Sequence, residues 1–238
     1  MPSKPELSRI LLKLSGEVLA NEDGFGIDTE KVAYLAQQIK PVHDSNVDIG
    51  LIIGAGNIFR GMQAAAGGMD RVTGDYLGML ATIMNAIALQ DSLEKIGCQT
   101  RTLSAINVTQ IAEPYIRRRA IRHMEKGRIV IIAGGTGNPF FTTDSAAALR
   151  ATELGSEIVL KGTKVDGVYD KDPATNSNAI RYTQLSYLDV LNKKLKIMDN
   201  TALSLSMDNN IPILVFNLDK KDNISKAINQ KTIGTLIQ

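Results

Sequence analysis

The sequence predicts an α/β fold with a largely parallel central sheet, on three observations. Segments with the apolar pattern of strands alternate with helical segments along the chain, which is typical of strand–helix–strand units. The first strand segment, residues 10–16, is almost continuously apolar, as strands covered on both faces are. Glycine turns directly follow several strand segments. Because parallel sheets bind ligands beyond the carboxyl ends of their strands, we expect a site at these turns.

The predicted strands are short apolar runs bounded by glycine or polar turns. They cover residues 10–16, 47–53, 100–104, 129–133, 157–161, 213–216 and 234–237. The predicted helices cover residues 29–44, 76–95, 115–126, 146–154, 200–209 and 223–229.

Particular residues support the helix boundaries. Pro41 is predicted to kink or end the first helix, because proline removes a backbone donor. Asp75 is the predicted N-cap of the second helix, and Asp199 starts the fifth. Between residues 77 and 89 the second helix is apolar nearly all round. Such a helix is expected to be buried, either in the core or against another subunit.

Composition limits the classes of function. With 238 residues the chain can bury a full core in one large domain or two small ones. The net charge of +2 gives no general electrostatic case for nucleic acid. The single cysteine, Cys98, excludes an internal disulfide, and His43 and His123 lack metal-ligand spacing. We find no signal peptide and no apolar run of membrane-spanning length, so a cytoplasmic protein without membrane contact is expected.

Residues 133–145, Ala-Gly-Gly-Thr-Gly-Asn-Pro-Phe-Phe-Thr-Thr-Asp-Ser, form the most informative stretch. A strand leads into it and an alanine-rich helix leads out. Thr142 or Thr143 can cap that helix, whose N-terminus attracts anions. Asp144 would repel a bare phosphate, so its position makes sense if a lysine or a metal ion lies between them. The alternative is a glycine-rich turn with an acidic cap, but the crowding of polar groups at one strand end favours a ligand loop.

Other strand ends carry cations. Lys13 interrupts the first apolar strand and needs an anion if it is buried, whereas on an edge strand it would reach solvent. Residues 54–61, Gly-Ala-Gly-Asn-Ile-Phe-Arg-Gly, fail the dinucleotide fingerprint because Phe59 stands where its last glycine belongs. Arg60 suits a phosphate, although a plain surface role stays open. Lys161 ends another strand, and the sequence has no Walker A motif, protein-kinase catalytic loop or nucleophile triad.

Four stretches resemble the bacterial uridylate kinase family of the amino acid kinase superfamily: residues 13–17, 54–61, 136–144 and 161–172. The similarity begins near Arg9 and runs to the C-terminus, and residues 137–144 are its most specific part. The resemblance implies a three-layer αβα sandwich and one amino acid kinase-like domain over residues 1–238. Its N-terminal half would mainly serve UMP and its C-terminal half mainly ATP. The implied reaction is transfer of the γ-phosphoryl group of ATP to UMP, with Mg²⁺, in pyrimidine nucleotide biosynthesis.

The resemblance also implies roles for individual residues. The catalytic residues would be Lys13, Arg60 and Asp144, with Asp144 orienting the lysine. ATP would be bound by Lys13, Leu14, Ser15, Gly16, Gly56, Arg60, Thr163, Tyr169 and Asp172. UMP would be bound by Ala55, Asp75, Thr136, Gly137, Asn138, Pro139, Phe140, Phe141, Thr142 and Thr143. The segment linked to GTP activation would be Asn21, Glu22, Asp23, Gly24, Phe25 and Gly26.

Further family properties are implied as expectations. They are a homohexamer, activation by GTP and inhibition by UTP. The residues themselves show no carboxylate cluster, so no protein ligands are predicted for the metal. Ala55 departs from the pattern, because a glycine that contacts UMP is usual there. Tyr169 could stack on a nucleotide base, and the alternative is that it simply packs against its neighbours.

The residues suit direct in-line transfer, because Lys13, Arg60, Lys161 and Mg²⁺ supply positive charge without a protein nucleophile. A storage or sensor protein on the same fold is the alternative from another class, and it could dispense with Lys13 or Asp144. An amino-acid or carbamate kinase is disfavoured by residues 138–141. Thr136 and Asn138 are predicted to select uracil over cytosine through hydrogen bonds.

Overall fold

The computed structural model describes residues 7–60, 66–229 and 233–238; Gly61, at the end of one motif, lies outside them. The strands are β1 (Arg9–Leu14), β2 (Asp48–Ile53), β3 (Thr100–Ser104), β4 (Glu113–Pro114), β5 (Ile129–Ala133), β6 (Ile158–Thr163), β7 (Val168–Tyr169), β8 (Arg181–Tyr182), β9 (Gln184–Leu185), β10 (Ile213–Asn217) and β11 (Thr235–Ile237). The α-helices are α1 (Thr29–Asp44), α2 (Arg71–Lys95), α3 (Arg117–Met124), α4 (Thr143–Leu154), α5 (Tyr187–Asn192), α6 (Asn200–Asp208) and α7 (Asn223–Asn229).

Nine strands form one sheet in the order β4-β3-β5-β2-β1-β6-β10-β11-β9. Its pairs are parallel except for β10 with β11, and β7 and β8 form a separate antiparallel pair. Strand β1 lies in the middle, between β2 and β6. The carboxyl ends of the central strands therefore meet at one edge of the sheet, as predicted.

Alternate side chains of each strand point to opposite sides of the sheet, and helices cover both faces. Leu12 packs with residues of α1, α2 and α7 in one core, whereas Leu11 packs with residues of α3, α4 and α6 in the other. The three-layer αβα sandwich with a largely parallel sheet is thereby confirmed.

Two expectations about helix ends are corrected. Helix α1 covers Thr29–Asp44 as predicted, so Pro41 lies inside it and does not end it. The proline is tolerated because it and Gln37, four residues earlier, face solvent, where water satisfies the freed carbonyl. Helix α2 begins at Arg71, and the side chain of Asp70 caps it by accepting from the Thr73 backbone N–H. Asp75 is therefore inside the helix and is not its N-cap.

Within the single chain, helix α2 is buried on one face only. Ile83, Ala86 and Leu89 lie in the core, but Leu80 and Met84 on the opposite face are 45% and 54% exposed. The helix has 25 residues and an 18-residue window of mean hydropathy 1.3. Its length and composition thus meet the requirement for a membrane span, contrary to the sequence expectation, yet its apolar face packs as a core helix does.

Candidate active site

Two lysines lie side by side at the centre of the sheet. Lys13 of β1 and Lys161 of β6 are direct partners in the parallel register, so their side chains point to the same face. Each is only 9% exposed. The interior position of β1 excludes the edge-strand alternative for Lys13, and two buried cations at one place demand an anion.

Asp144 supplies that anion. Its Oδ1 lies 2.6 Å from Lys13 Nζ as an ion pair without hydrogen-bond geometry, and its Oδ2 accepts a hydrogen bond from Lys161 Nζ at 2.9 Å. Lys161 also donates to the carbonyl of Ile197. The carboxylate therefore bridges both lysines, whereas the sequence had suggested Lys13 as its partner.

Burial and mutual charge set the protonation of this cluster. Burial alone would raise the pKa of Asp144, but the charges of Lys13 and Lys161 outweigh it and hold that pKa below its usual range. Burial and the nearby charge of Lys13, opposed in part by Asp144, together lower the pKa of Lys161 to about 8. At neutral pH the cluster thus keeps a net positive charge at the strand ends, which suits phosphate.

The N-terminus of α4 positions Asp144. Thr142 is the N-cap, because its hydroxyl accepts from the backbone N–H of Asp144 at 3.0 Å and of Ser145 at 3.2 Å. Asp199 in turn accepts from the hydroxyls of Thr142 and Ser145 and caps α6 through the Ala202 N–H. Asp199 thus joins two helix N-termini beside the cluster. The sequence showed it only as a helix start, since this pairing spans more than fifty residues.

A small cleft of about 210 Å³ opens in front of α4. Its lining includes Ala55, Gly56, Arg60, Thr136, Asn138, Phe141, Thr142 and Thr143. The Thr136 hydroxyl closes the turn on the backbone of Asn138, with both contacts at 3.2 Å. Pro139 and Gly137 belong to the same loop, and Gly137 has a φ of +86°, which favours glycine.

Asp75 lies at the rim of this cleft. Its Oδ2 accepts from the Phe140 backbone N–H at 2.8 Å, and Arg71 Nε lies 2.8 and 2.9 Å from its two oxygens. A residue of α2 is thereby brought to the loop that follows β5. Ala55 is 8% exposed, so its methyl group occupies little of the open space.

A second cavity of about 490 Å³ lies beyond the end of β6. It brings together Thr163, Tyr169 and Asp172, the three residues expected at the adenosine end of ATP. Residues 193–197 complete the wall, and the sequence gave no signal for them. The hydroxyl of Tyr169 donates to Asp166 Oδ1 at 2.6 Å.

The lysine cluster adjoins residues that line each cavity. Thr142 and Thr143 line the smaller cleft immediately before Asp144, whereas Ile197, which accepts from Lys161, lines the larger cavity.

The turns after β1 and β2 approach each other closely. A Cβ added at Gly16 would collide with the carbonyl of Gly54 and with Asn57 Oδ1, so only glycine fits. Ser15 caps the 3-10 helix Gly16–Leu19 by accepting from the Glu17 N–H. Leu14 ends β1 in the core, and its carbonyl accepts from the Gly54 N–H at 2.9 Å. Arg60 contacts Glu17 Oε1, and Lys164 Nζ lies 3.3 Å from Glu17 Oε2.

The segment Asn21–Gly26 forms an exposed turn beside the site. The Asn21 N–H donates to the carbonyl of Phe25, and the Gly26 N–H donates to the carbonyl of Asn57 at 2.8 Å. Its members are Asn21, Glu22, Asp23, Gly24, Phe25 and Gly26. This turn therefore contacts the glycine turn after β2 directly.

Metal ligands are sparse in the part of the chain that the structure describes. It contains no group of three or more His, Cys, Asp or Glu side chains able to hold an ion. Asp144 is the carboxylate between the two lysines, and its two oxygens contact Lys13 and Lys161.

Comparison with known proteins assigns this arrangement to a class of phosphotransferases. Residues 8–217 match the amino acid kinase family, and the chain belongs to that family. The chain is similar to the UMP kinase of Bacillus anthracis, with 38% identity, a TM-score of 0.94, and 98% of this chain and 96% of that chain covered. It is similar to the UMP kinase of Ureaplasma parvum, with 39% identity, a TM-score of 0.91, and coverage of 98% and 99%. The uridylate kinase of Archaeoglobus fulgidus is more distant, with 28% identity, a TM-score of 0.73, and coverage of 96% and 99%.

Proposed function

We propose that this chain is a UMP kinase, which reversibly transfers the γ-phosphoryl group of MgATP to UMP and forms UDP and ADP in pyrimidine nucleotide biosynthesis. The observation that carries the proposal is the Lys13–Asp144–Lys161 cluster, which contacts the walls of two cavities at the strand ends. Two separate cavities, each with wall residues next to this cluster, suit two nucleotides whose phosphates meet.

The chemistry follows from this placement. A phosphate oxygen of UMP attacks the γ-phosphorus, and the bond from that phosphorus to the bridging oxygen of ADP breaks. Lys13 and Lys161 neutralise charge that spreads over the transferred group, and Asp144 holds both ammonium groups in place. Arg60 adds positive charge once a phosphate replaces its contact with Glu17. The transfer is in line, with no phosphoenzyme.

UMP occupies the cleft of about 210 Å³ and the ATP nucleoside the cavity of about 490 Å³. Asp75 takes the ribose hydroxyls of UMP, and Thr136 and Asn138 bind the uracil. Ser15, Gly16 and Gly56 lie by the phosphates, while Tyr169 and Asp172 hold the adenosine. One domain thus carries UMP mainly on its N-terminal half and ATP mainly on its C-terminal half.

Assembly and regulation belong to the same proposal. The exposed apolar face of α2 supports a homo-oligomer, which we expect to be a hexamer in the cytoplasm.

GTP activates through the segment Asn21–Gly26, which contacts the turn after β2, and UTP inhibits. The test is a GTP titration at fixed ATP over a range of UMP concentrations. No change in rate at any UMP concentration would contradict the activation.

A non-catalytic nucleotide-binding protein is the competing function. Such a protein needs the glycine turns but has no need of two buried lysines on one carboxylate, which are costly unless they serve charge neutralisation. Formation of UDP from ATP and UMP separates the two functions, because a sensor would bind both nucleotides without releasing UDP.

The substrate is tested by comparing kcat/KM for UMP, CMP and dUMP. Uracil and cytosine differ in two hydrogen-bonding groups, and each mispaired buried group costs about 1–3 kcal/mol. We expect UMP to be preferred over CMP by about 10²–10⁴-fold, at 1.36 kcal/mol per factor of ten. The double variant Thr136→Ala and Asn138→Ala should lose most of this preference. Equal use of CMP by the wild type would contradict the assignment of these two residues.

A further inference from the structure

A pair of buried amides lies behind the site, outside the residues that contact the proposed substrates. Asn57 follows β2, and Asn85 lies on the inner face of α2; they are 1% and 0% exposed. Asn57 Nδ2 donates to Asn85 Oδ1 at 3.0 Å, and Asn85 Nδ2 donates to Asn57 Oδ1 at 2.7 Å. The two side chains therefore satisfy each other reciprocally in the interior.

The second hydrogen of each amide donates to a turn. Asn57 Nδ2 donates to the Gly26 carbonyl at 2.7 Å, and Asn85 Nδ2 donates to the Gly54 carbonyl at 2.8 Å. Because both turns offer carbonyl oxygens, only this orientation of each amide satisfies all four groups. The backbone carbonyl of Asn57 also accepts from the Gly26 N–H.

The amide pair also restricts the space available to the turn after β1. Gly16 approaches Asn57 Oδ1 and the Gly54 carbonyl so closely that a Cβ would collide with both. The amide pair therefore contacts the turns after β1 and β2 and the segment Asn21–Gly26, and joins them to α2.

We propose that Asn57 and Asn85 are positioning residues, which fix the distance between the phosphate-binding turns after β1 and β2 so that the γ-phosphoryl group and its acceptor lie in line. The proposal rests on the proposed kinase function. A fully satisfied buried network is rigid, and transfer depends on such rigidity, since a misplacement of about 1 Å costs about 10²-fold in rate.

The test compares Asn85→Leu and Asn57→Leu with a matched control, Thr100→Val. Thr100 is also fully buried and donates to one backbone carbonyl, that of Cys98. It lies at the start of β3, away from the carboxyl ends of the strands. We expect kcat to fall by about 10–100-fold in each asparagine variant while both KM values stay close to wild type. In the double variant kcat should fall far less than the product of the two single reductions. Either single substitution already breaks the amide pair, so the second removes little more. Thr100→Val should lose stability and keep kcat.

A second measurement does not depend on activity. Backbone amides of residues 14–18, 21–27 and 54–58 should exchange with deuterium faster in Asn85→Leu than in Thr100→Val. If Asn85→Leu does not fold, Asn85→Asp replaces it, because it keeps the shape and loses the donors to the Gly54 carbonyl and to Asn57 Oδ1. Wild-type kcat together with unchanged exchange in the asparagine variant would overturn the positioning role. A wild type that forms no UDP would contradict the kinase function alone, and the exchange comparison would still decide the role of the pair.

Discussion

At the scale of single residues, Lys161 has the most informative environment, because burial and Lys13 lower its pKa to about 8. The ammonium is charged below that pH and loses its charge as the pH rises through it. If the charge serves transfer, kcat/KM should decline above about pH 8, because this parameter reports the free enzyme. In kcat the decline should start at higher pH, since bound phosphates favour the charged lysine.

Lys161→Arg is the variant that checks this assignment. The guanidinium stays protonated over the whole range, so the alkaline decline in kcat/KM should move to higher pH, whatever the absolute rate. The measurement is a pair of pH profiles, with activity restored on return to neutral pH as the control for denaturation. An alkaline decline at the same pH in both proteins would assign it to another group.

At the scale of elements, the loop after β5 depends on residues with positive φ. Gly137 has a φ of +86°, and an added Cβ would lie 2.9 Å from the Ala105 carbonyl. Gly155, at the end of α4, has a φ of +66° and open space around it. Alanine in this backbone region costs about 1–2 kcal/mol at either position. Only Gly137→Ala should in addition raise the KM for UMP, while the KM for ATP stays unchanged.

The comparison needs thermal melts and both KM values for Gly137→Ala and Gly155→Ala. The melting temperature should fall in both variants, and further in Gly137→Ala because its Cβ also meets the Ala105 carbonyl. The KM change should be confined to Gly137→Ala. If Gly137→Ala kept the wild-type KM for UMP, this loop would not bind UMP.

The long elements were predictable from the sequence, and the short ones were not. Mostly apolar runs placed β1, β2, β5 and β10 within a few residues. Strands of two residues such as β4 and β9 show no periodicity. The N-cap prediction for Asp75 is wrong because Asp70, five residues earlier, suits a helix start equally well, and only the position of the first turn distinguishes them.

The site was predictable where chemistry demands a partner. A buried lysine requires an anion, so Lys13 indicated Asp144. The sharing of that carboxylate with Lys161, the second role of Asp199 and the Asn57–Asn85 pair were not visible. Each depends on contacts between distant segments, and a single asparagine in a helix looks like an ordinary polar residue until its neighbours are known.

At the scale of the whole molecule, the outer face of α2 predicts self-association. Leu77, Leu80 and Met84 are exposed on one helix face, together with Tyr76, and apolar patches of this kind mark interfaces. We expect wild type to sediment as an oligomer at micromolar concentration. Leu80→Lys combined with Met84→Lys should shift it to smaller species, because two charges would be buried at the interface.

Leu188→Lys is the control, since Leu188 is 61% exposed on α5 and lies away from this face. A wild type that sediments only as a monomer would contradict the interface. Equal dissociation by Leu188→Lys would place the contact elsewhere.

The most direct test of catalysis by the lysine cluster is the rate of UDP formation from MgATP and UMP in wild type, Lys13→Met and the exposed control Lys40→Met. Methionine fills the buried site without a charge, so Lys13→Met should stay folded and lose about 10²-fold or more in kcat, as removal of one transition-state donor does. Lys40 pairs with Asp44 on the surface of α1, and its variant should keep full activity. Rapid UDP formation by wild type with a sharp loss in Lys13→Met alone is the predicted result. Turnover by Lys13→Met close to wild type would contradict it.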